Sequence, residues 1–343
     1  MPDFLQTGSI LTLPLLSGDP ERLDADLTTW SRERPLALLL PCHARDLDSP
    51  ALTHIIATIA AIPWVSFVLI GLDGADAAQH EAAIEKFHAI GHDSILMHHD
   101  MSQVAAGKGR NIRDTASVLM EWEKIFAIAI HDCDIRTYSR DFLARLCWPV
   151  LHPDAGILAC KGYYARTAGQ LHGRVFRLMF QPLLRAWCEI FPDQKWPAFL
   201  RSFRYPLSGE LCITKELLKR QDFDPGWGFE VKMLHSLFRS APHSLCQAEL
   251  CAAYDHKHQD PADLALMAEE VARAFCDTMR LEGTPAAAPQ WRALMDACRQ
   301  TTARALHEST LLAQMHGLPY DAAAEESLAA LFTSALHRSQ LTD

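Results

Sequence analysis

The 343-residue sequence predicts an α/β fold in which a mainly parallel sheet is flanked by helices and followed by a helical appendage. Short apolar runs alternate with segments of helical period between residues 35 and 97, and each run stops in a polar loop. Beyond residue 260 the chain is Ala- and Leu-rich with helical periodicity alone. Residues 1–33 read as an N-terminal extension, 34–260 as the α/β domain and 261–343 as the helical region.

Within the extension only a Gly-Asp-Pro turn and a short polar helix near residues 21–30 stand out. Residues 35–40 form a dense apolar strand that enters the loop Pro41, Cys42, His43, Ala44, Arg45, Asp46. Ser49 caps a helix with Pro50 in its first turn, and Leu52, Ile55, Ile56, Ile59 and Ile62 recur at helical spacing up to Pro63. Residues 64–72 are again strand-like and end at Asp73; residues 77–90 are helical and 94–97 form a brief strand. In such alternation ligands bind where loops leave the carboxyl ends of the strands.

The stretch the chain is organised around is residues 128–139. Phe126, Ile128 and Ile130 alternate with alanines, the pattern of a buried strand. Asp132 and Asp134 follow one residue apart, so an extended backbone sends both carboxylates to one side, with Cys133 opposite. Two hard oxygen donors at that spacing suit Mg²⁺ or Mn²⁺, ions that keep positions open for phosphate oxygens. Taken alone, an Asp-X-Asp triplet is more often a plain loop than a metal site.

Four further segments carry candidate chemistry. Gly107, Lys108, Gly109 and Arg110 precede a helix expected to begin near Asn111; they either present amides and cations to an anion or form a solvated turn, and they lack Walker spacing. Arg174 and Arg177, beside Gly173, share a face of a helix running to about Ile190, a geometry for gripping phosphate or carboxylate or for surface ion pairs. Two glycine-bearing loops deliver Glu210 after Gly209 and Glu230 after Gly226 and Gly228; as a first-turn residue Glu230 also offsets its helix dipole. Finally, Asp255, His256 and His258 fall within a few residues, more often a surface cluster than a ligand set. The tail divides into about three helices near residues 283–289 and 317–319, carries no chemical motif, and reads as a packing or dimerisation element.

A hydrophobic fraction of 49% is ample for a core. No stretch reaches the roughly 18 consecutive apolar residues of a membrane span, and the N-terminus lacks a signal peptide's basic head, so a cytoplasmic protein is expected. The ten cysteines form no C-x-x-C pair and read as small buried hydrophobes. A net charge of −10 opposes binding to nucleic acid but leaves room for a small phosphorylated ligand.

Taken in chain order, PCHARD, GKGR, HDCD, GRV, PLSGE, PGWGFE and DHKH resemble the metal-dependent GT-A glycosyltransferases, and among them the retaining glucosyl-3-phosphoglycerate synthase family, over residues 35–260. The resemblance implies a GT-A fold, a Rossmann-like nucleotide-binding mixed sheet flanked by helices. It implies transfer of a hexosyl group, glucose first, from UDP-glucose or GDP-glucose to 3-phosphoglycerate or a similar small acid, with Mg²⁺ or Mn²⁺ as cofactor and a homodimer as the assembly. By the same resemblance Asp132, Asp134 and His256 hold the metal. Pro41, His43, Arg45, Asp73, Lys108, Asp132, Gly209 and Glu230 bind the donor; Gly173, Arg174, Val175, Arg177 and His258 bind the acceptor; Asp134, Glu230 and Arg174 act in the reaction itself.

The chain departs from better-known members at Ala44, Arg45 and Asp46, at Phe176 where a threonine is usual, and at Tyr254 where an arginine often stands. These departures bear on the base contact and on the acceptor phosphate. Mannosyl transfer or glycerate as acceptor are variants of the same reading. A metal phosphohydrolase is the competitor of another class, although its sites need His and Asp on helices and the run before His131 has strand alternation. A silent sugar-nucleotide-binding module is the third.

Overall fold

Strand pairing puts eight strands into one sheet in the computed structural model, which describes residues 9–16, 18–99, 107–256, 261–284 and 288–340. The first half runs β1 (Leu11–Leu13), α1 (Pro20–Trp30), β2 (Leu36–His43), α2 (Pro50–Ala60), β3 (Val65–Asp73), α3 (Ala77–His88), β4 (Asp93–His99), α4 (Lys108–Met120), β5 (Ala127–Ile130) and α5 (Arg140–Leu151). After it come β6 (Ala159–Tyr164), α6 (Gln181–Ile190), α7 (Lys195–Arg201), β7 (Leu211–Thr214), α8 (Lys215–Leu218), α9 (Phe229–Ser240) and β8 (Leu245–Cys251). Three long helices close the chain: α10 (Pro261–Leu281), α11 (Ala288–His316) and α12 (Ala322–Gln340).

The strand order is β1-β8-β6-β7-β5-β2-β3-β4. β2, β3, β4 and β5 are parallel, whereas β7 runs antiparallel to both β5 and β6, so the sheet is mixed. From β2 the chain steps outward through β3 to β4 and then returns to lay β5 on β2's other side. That reversal is a topological switch point, and the loops leaving β2 and β5 part there to open a crevice. The polar loops after His43 and Ile130 therefore meet at one place.

Local sequence explains the expected elements. Ser49 accepts from the Leu52 amide to start α2, Asp76 and Gln79 form a reciprocal capping box on α3, and Ser139 caps α5 through Phe142. Side-chain alternation divides the strands between two cores: Ala37, Leu39, Ile128 and Ile130 enter one, and Leu36, Leu38, Leu40, Ala127 and Ala129 the other. None of the ten cysteines is in a disulfide and eight of them are buried, as small apolar residues would be. Among the described residues no helix is long and apolar enough to cross a membrane.

Three details refine the expected elements. Within the described part of residues 1–33, β1 adds the sheet's edge beside β8 and α1 packs on α5; Trp64 and Trp148 donate to Asp24 and Asp26 of α1. The helix expected from Asn111 begins at Lys108. The tail is the expected helical region, and it packs into the main core. Phe275 of α10, Leu294 of α11 and Phe332 of α12 belong to the same core cluster as β2 and β5, and α11 packs along α6. Between Arg174 and α6 lies a π-helical turn, Phe176–Phe180, followed by Pro182, which has no N–H for the carbonyl four residues back.

The glycines of the GKGR segment serve packing first. The Arg110 amide donates to the Pro225 carbonyl at 3.0 Å, and a Cβ on Gly109 would lie 1.7 Å from the Asp224 carbonyl oxygen. Only glycine lets α4 begin against the 224–226 loop. Gly109→Ala should therefore lower stability by about 1–3 kcal/mol through overpacking, read as a fall in Tm; an unchanged Tm would mean the two segments do not touch.

Candidate active site

A cleft of about 430 Å³ opens at the switch point, between the loops that follow β2 and β5. Pro41, His43, Arg45, Asp73, Lys108, Asp132, Asp134, Gly173, Arg174, Val175, Gly209, Glu230 and His256 all line it. Residues separated by more than two hundred positions thus converge as the motif order implied. His258 lies outside the described residues, and Arg177 is not among the lining side chains.

The cleft's acidic end is built around Lys108, at the first turn of α4. Its Nζ lies 2.8 and 3.0 Å from the two carboxylate oxygens of Asp132 and 3.3 Å from Glu230 at the start of α9. Burial alone would lower the lysine's pKa, but Asp132 and Glu230 outweigh it and hold the ammonium well above its usual range. Burial would raise the Asp132 carboxyl; Lys108 more than reverses this and keeps it below the usual value. Gly209 makes the contact possible, because a Cβ there would come 2.5 Å from Lys108 Nζ and 2.8 Å from Asp132. Nearby, Asp73 is held by the buried Arg110, 3.4 Å away, and the His43 ring accepts from the Arg45 amide at 3.1 Å.

Asp134 takes a different partner. Its Oδ2 lies 3.5 Å from His256 Nδ1, and the histidine is brought there by an isolated antiparallel bridge between Ile135 and His256. In this structure Asp132 and Asp134 do not share a partner. β5 ends at Ile130, where its pairing with β2 ends, and the chain then leaves extended geometry, so Asp132 turns to Lys108 and Asp134 to His256. Among the described residues no three His, Cys, Asp or Glu side chains stand close enough together to hold one metal ion. One carboxylate and one imidazole fit Mg²⁺ or Mn²⁺ when the remaining ligands come from outside the chain, and do not fit a closed structural site.

Beneath this lies a layer that the sequence did not disclose. Fully buried Glu210 accepts from Tyr164 Oη at 2.7 Å and Tyr254 Oη at 2.9 Å, and the two rings stack at 3.7 Å. Burial, with the charge of Asp132, pushes the Glu210 pKa up. Lys161, also buried, donates to the Ser208 carbonyl and is pushed down to about 8 by desolvation.

The opposite wall carries the arginine-bearing turn, where Gly173 takes φ +67°. Arg174 lines the cleft and donates to Glu325 of α12 at 2.8 Å. Arg177 donates to the same carboxylate at 2.6 Å and to Ser309 of α11 at 2.8 Å, so in this structure it anchors the turn to the tail. Leu264, Met267 and Val271 of α10 complete this wall, so the region without a motif contributes to the site. Arg166 was also missed. It follows β6 by two residues and stands in no motif; only the knowledge that β6 ends at the same rim would have marked it.

No family model matches the chain. It is 30% identical to the glucosyl-3-phosphoglycerate synthase of Persephonella marina over 362 aligned positions, covering 99% of this chain and 90% of that one. It is also 30% identical to the protein of the same name from Methanococcoides burtonii, covering 75% and 68%. Its fold is similar to that of the Mycobacterium tuberculosis glucosyl-3-phosphoglycerate synthase solved with Mn²⁺, UDP-glucose and phosphoglyceric acid, with TM-score 0.62, 21% identity and 81% and 89% coverage. The mannosyl-3-phosphoglycerate synthase of Rubrobacter xylanophilus superposes with TM-score 0.62 at 23% identity, over 77% and 80% of the two chains.

Between β5 and Asp132, His131 is fully buried, its Nδ1 lies 3.0 Å from the Asp132 carbonyl and its Nε2 has no partner. Burial pushes its pKa down from 6.5 to about 4. Between those values the unfolded chain binds the extra proton, so the stability present above pH 6.5 is lost as pH falls towards about 4. His131→Phe should flatten this part of the acid limb, seen as a smaller Tm drop from pH 6.5 to 4 than in the wild type; equal drops would place the acid sensitivity elsewhere.

Proposed function

The chain belongs to the glucosyl-3-phosphoglycerate synthase family, and on that premise we propose that it transfers glucose from UDP-glucose to a hydroxyl of 3-phosphoglycerate with Mg²⁺ or Mn²⁺ as cofactor. The observation that carries this reading is a single cleft lined at one end by Asp132, Asp134, Lys108 and Glu230 and at the other by Gly173 and Arg174. The loop of Pro41, His43 and Arg45, together with Asp73, lines the same cleft at the carboxyl ends of β2 and β3 and holds the nucleotide.

Charge balance supports a cation-dependent donor. Among the described residues five carboxylates and four permanent cations line the cleft, so a diphosphate entering without a counter-ion meets net negative charge from this lining. Asp134 and His256 hold that counter-ion, which when bound draws off the charge growing on the departing diphosphate. Lys108, fixed by two carboxylates, adds positive charge that needs no rearrangement during the reaction. Glu230 and Asp132 hold donor-sugar hydroxyls from the position that Lys108 imposes. Both carry the lysine, and Asp134 faces His256, so none is set as a nucleophile. The acceptor hydroxyl then attacks from the leaving group's face and gives its proton to the departing phosphate, with retention. Arg174, oriented by Glu325, aligns the acceptor.

Asp134→Ala should reduce glucosyl transfer from UDP-glucose to 3-phosphoglycerate by on the order of 100-fold or more with the fold intact. A chelator should do the same to the wild type; full transfer in either case would sink the cation assignment. Gly209→Ala should displace Lys108 from Asp132 and weaken UDP binding by roughly tenfold in calorimetry, about the 1.4 kcal/mol of one charged contact. GDP-glucose and GDP-mannose in the same assay decide base and hexose, and light scattering decides the homodimer that belongs to this reading.

A further inference from the structure

Among the described residues four permanent cations line the cleft, and they differ in their partners. Lys108 carries Asp132 and Glu230, Arg174 carries Glu325, and Arg45 stands exposed on the rim, where water solvates it. Arg166 alone is partly buried in the wall with no carboxylate within ion-pair distance among the described residues. Its Nη1 donates to Tyr205 Oη at 3.0 Å, its Nη2 donates to His256 Nε2, and its buried Nε has no partner. The guanidinium lies over the rings of Tyr205 and Tyr254, at 5.9 and 5.7 Å from their centroids. Two aromatic faces stabilise a cation without neutralising it.

A guanidinium partly withdrawn from water and given only neutral partners among the described residues is favoured when an anion arrives to complete it. Its position says which anion. Through His256 it adjoins the metal-binding end, and its side chain lies 3.6 Å from where a Cβ on Gly173 would be, beside the turn that bears Arg174. Arg166 therefore stands between the place where the glycosidic bond breaks and the place where the acceptor's charge is received. Arg174 is half-spent on Glu325, and Arg177 is fully engaged by Glu325 and Ser309, so the turn by itself offers less positive charge than its two arginines imply. A small acid with both a carboxylate and a phosphate needs a second cationic partner.

We propose that Arg166 is an acceptor-binding, specificity-determining residue, whose guanidinium takes an anionic group of the acceptor while Arg174 takes the other. This inference rests on the glucosyl-transfer reading and deepens it: the cleft is built for an acceptor with two anionic groups, and a neutral polyol would leave Arg166 without a counter-charge.

The test is calorimetric binding of 3-phosphoglycerate in the presence of UDP and Mn²⁺, for the wild type, Arg166→Met, which keeps the stem over the tyrosines, and Arg166→Lys, which keeps the charge but loses the fork. Binding should weaken roughly 10–100-fold in Arg166→Met and less in Arg166→Lys, with UDP affinity within about threefold of the wild type. In steady-state assays KM for 3-phosphoglycerate should rise by a similar factor while kcat changes less. Should Arg166→Met melt below the assay temperature, Arg166→Lys carries the same comparison. The loss also appearing with glycerate assigns the carboxylate to Arg166; its appearing instead with glycerol 3-phosphate assigns the phosphate. Unchanged 3-phosphoglycerate binding, or an equal loss for UDP, would overturn the proposal, the second outcome meaning that the residue only packs the wall. A wild-type chain that binds UDP but none of the three acids would overturn the functional reading and this inference with it.

Discussion

Lys108 is the point on which the cleft depends. A lysine ammonium placed in a crevice between α4, the loop after β5 and the first turn of α9 is tolerable only with carboxylates on it, and Asp132 and Glu230 supply them from two of those elements. Each partner then constrains the others. Gly209 must lack a side chain, Gly107 and Gly109 must let the 224–226 loop come close, and the start of α9 must arrive beside the start of α4. Three glycine-bearing motifs that look independent along the chain are thus parts of one contact. Removing the lysine would leave two carboxylates in like-charge opposition.

The second constraint is the reversal in strand order. Because β5 returns to the far side of β2, the loops after these strands diverge, and the polar residues that end each strand face one crevice rather than opposite edges of the sheet. Antiparallel β7 then brings Glu210 under the same crevice, where Tyr164 and Tyr254 satisfy its carboxylate. A buried acid with two hydroxyl donors stiffens the floor without taking a lining position, while Asp134 and His256 line the cleft.

The tail closes the opposite wall. Glu325 of α12 joins Arg174 to Arg177 and, with Ser309 of α11, ties the turn at Gly173 to helices more than a hundred residues away. This explains why α10, α11 and α12 share the main core instead of standing apart from it. It also divides the positive charge of that wall unequally: the arginines of the recognisable motif are partly neutralised, whereas Arg166, cushioned on tyrosine rings, has no carboxylate partner among the described residues.

Strands β2 to β5 and the helices between them were legible because their side-chain alternation, caps and terminal prolines act over a few residues, and the same locality exposed Asp132, Asp134, Lys108, Gly173, Arg174 and Glu230 as motif members. β7 and β8 were not. Four buried residues running into α8 carry no distinguishing period, and β8 buries Gln247, which only its bonds to Thr12, Ser202 and Arg204 make tolerable. Which acid meets which base was likewise beyond the chain order. Asp132 pairs with Lys108 and Asp134 with His256 because β5 stops at Ile130, and Arg177 leaves the cleft because Glu325 lies behind it. Periodicity and capping belong to neighbours along the chain and can be read from it. The partner of a buried charge is chosen by whatever the fold brings within a few ångströms, and that is settled only when every element is in place.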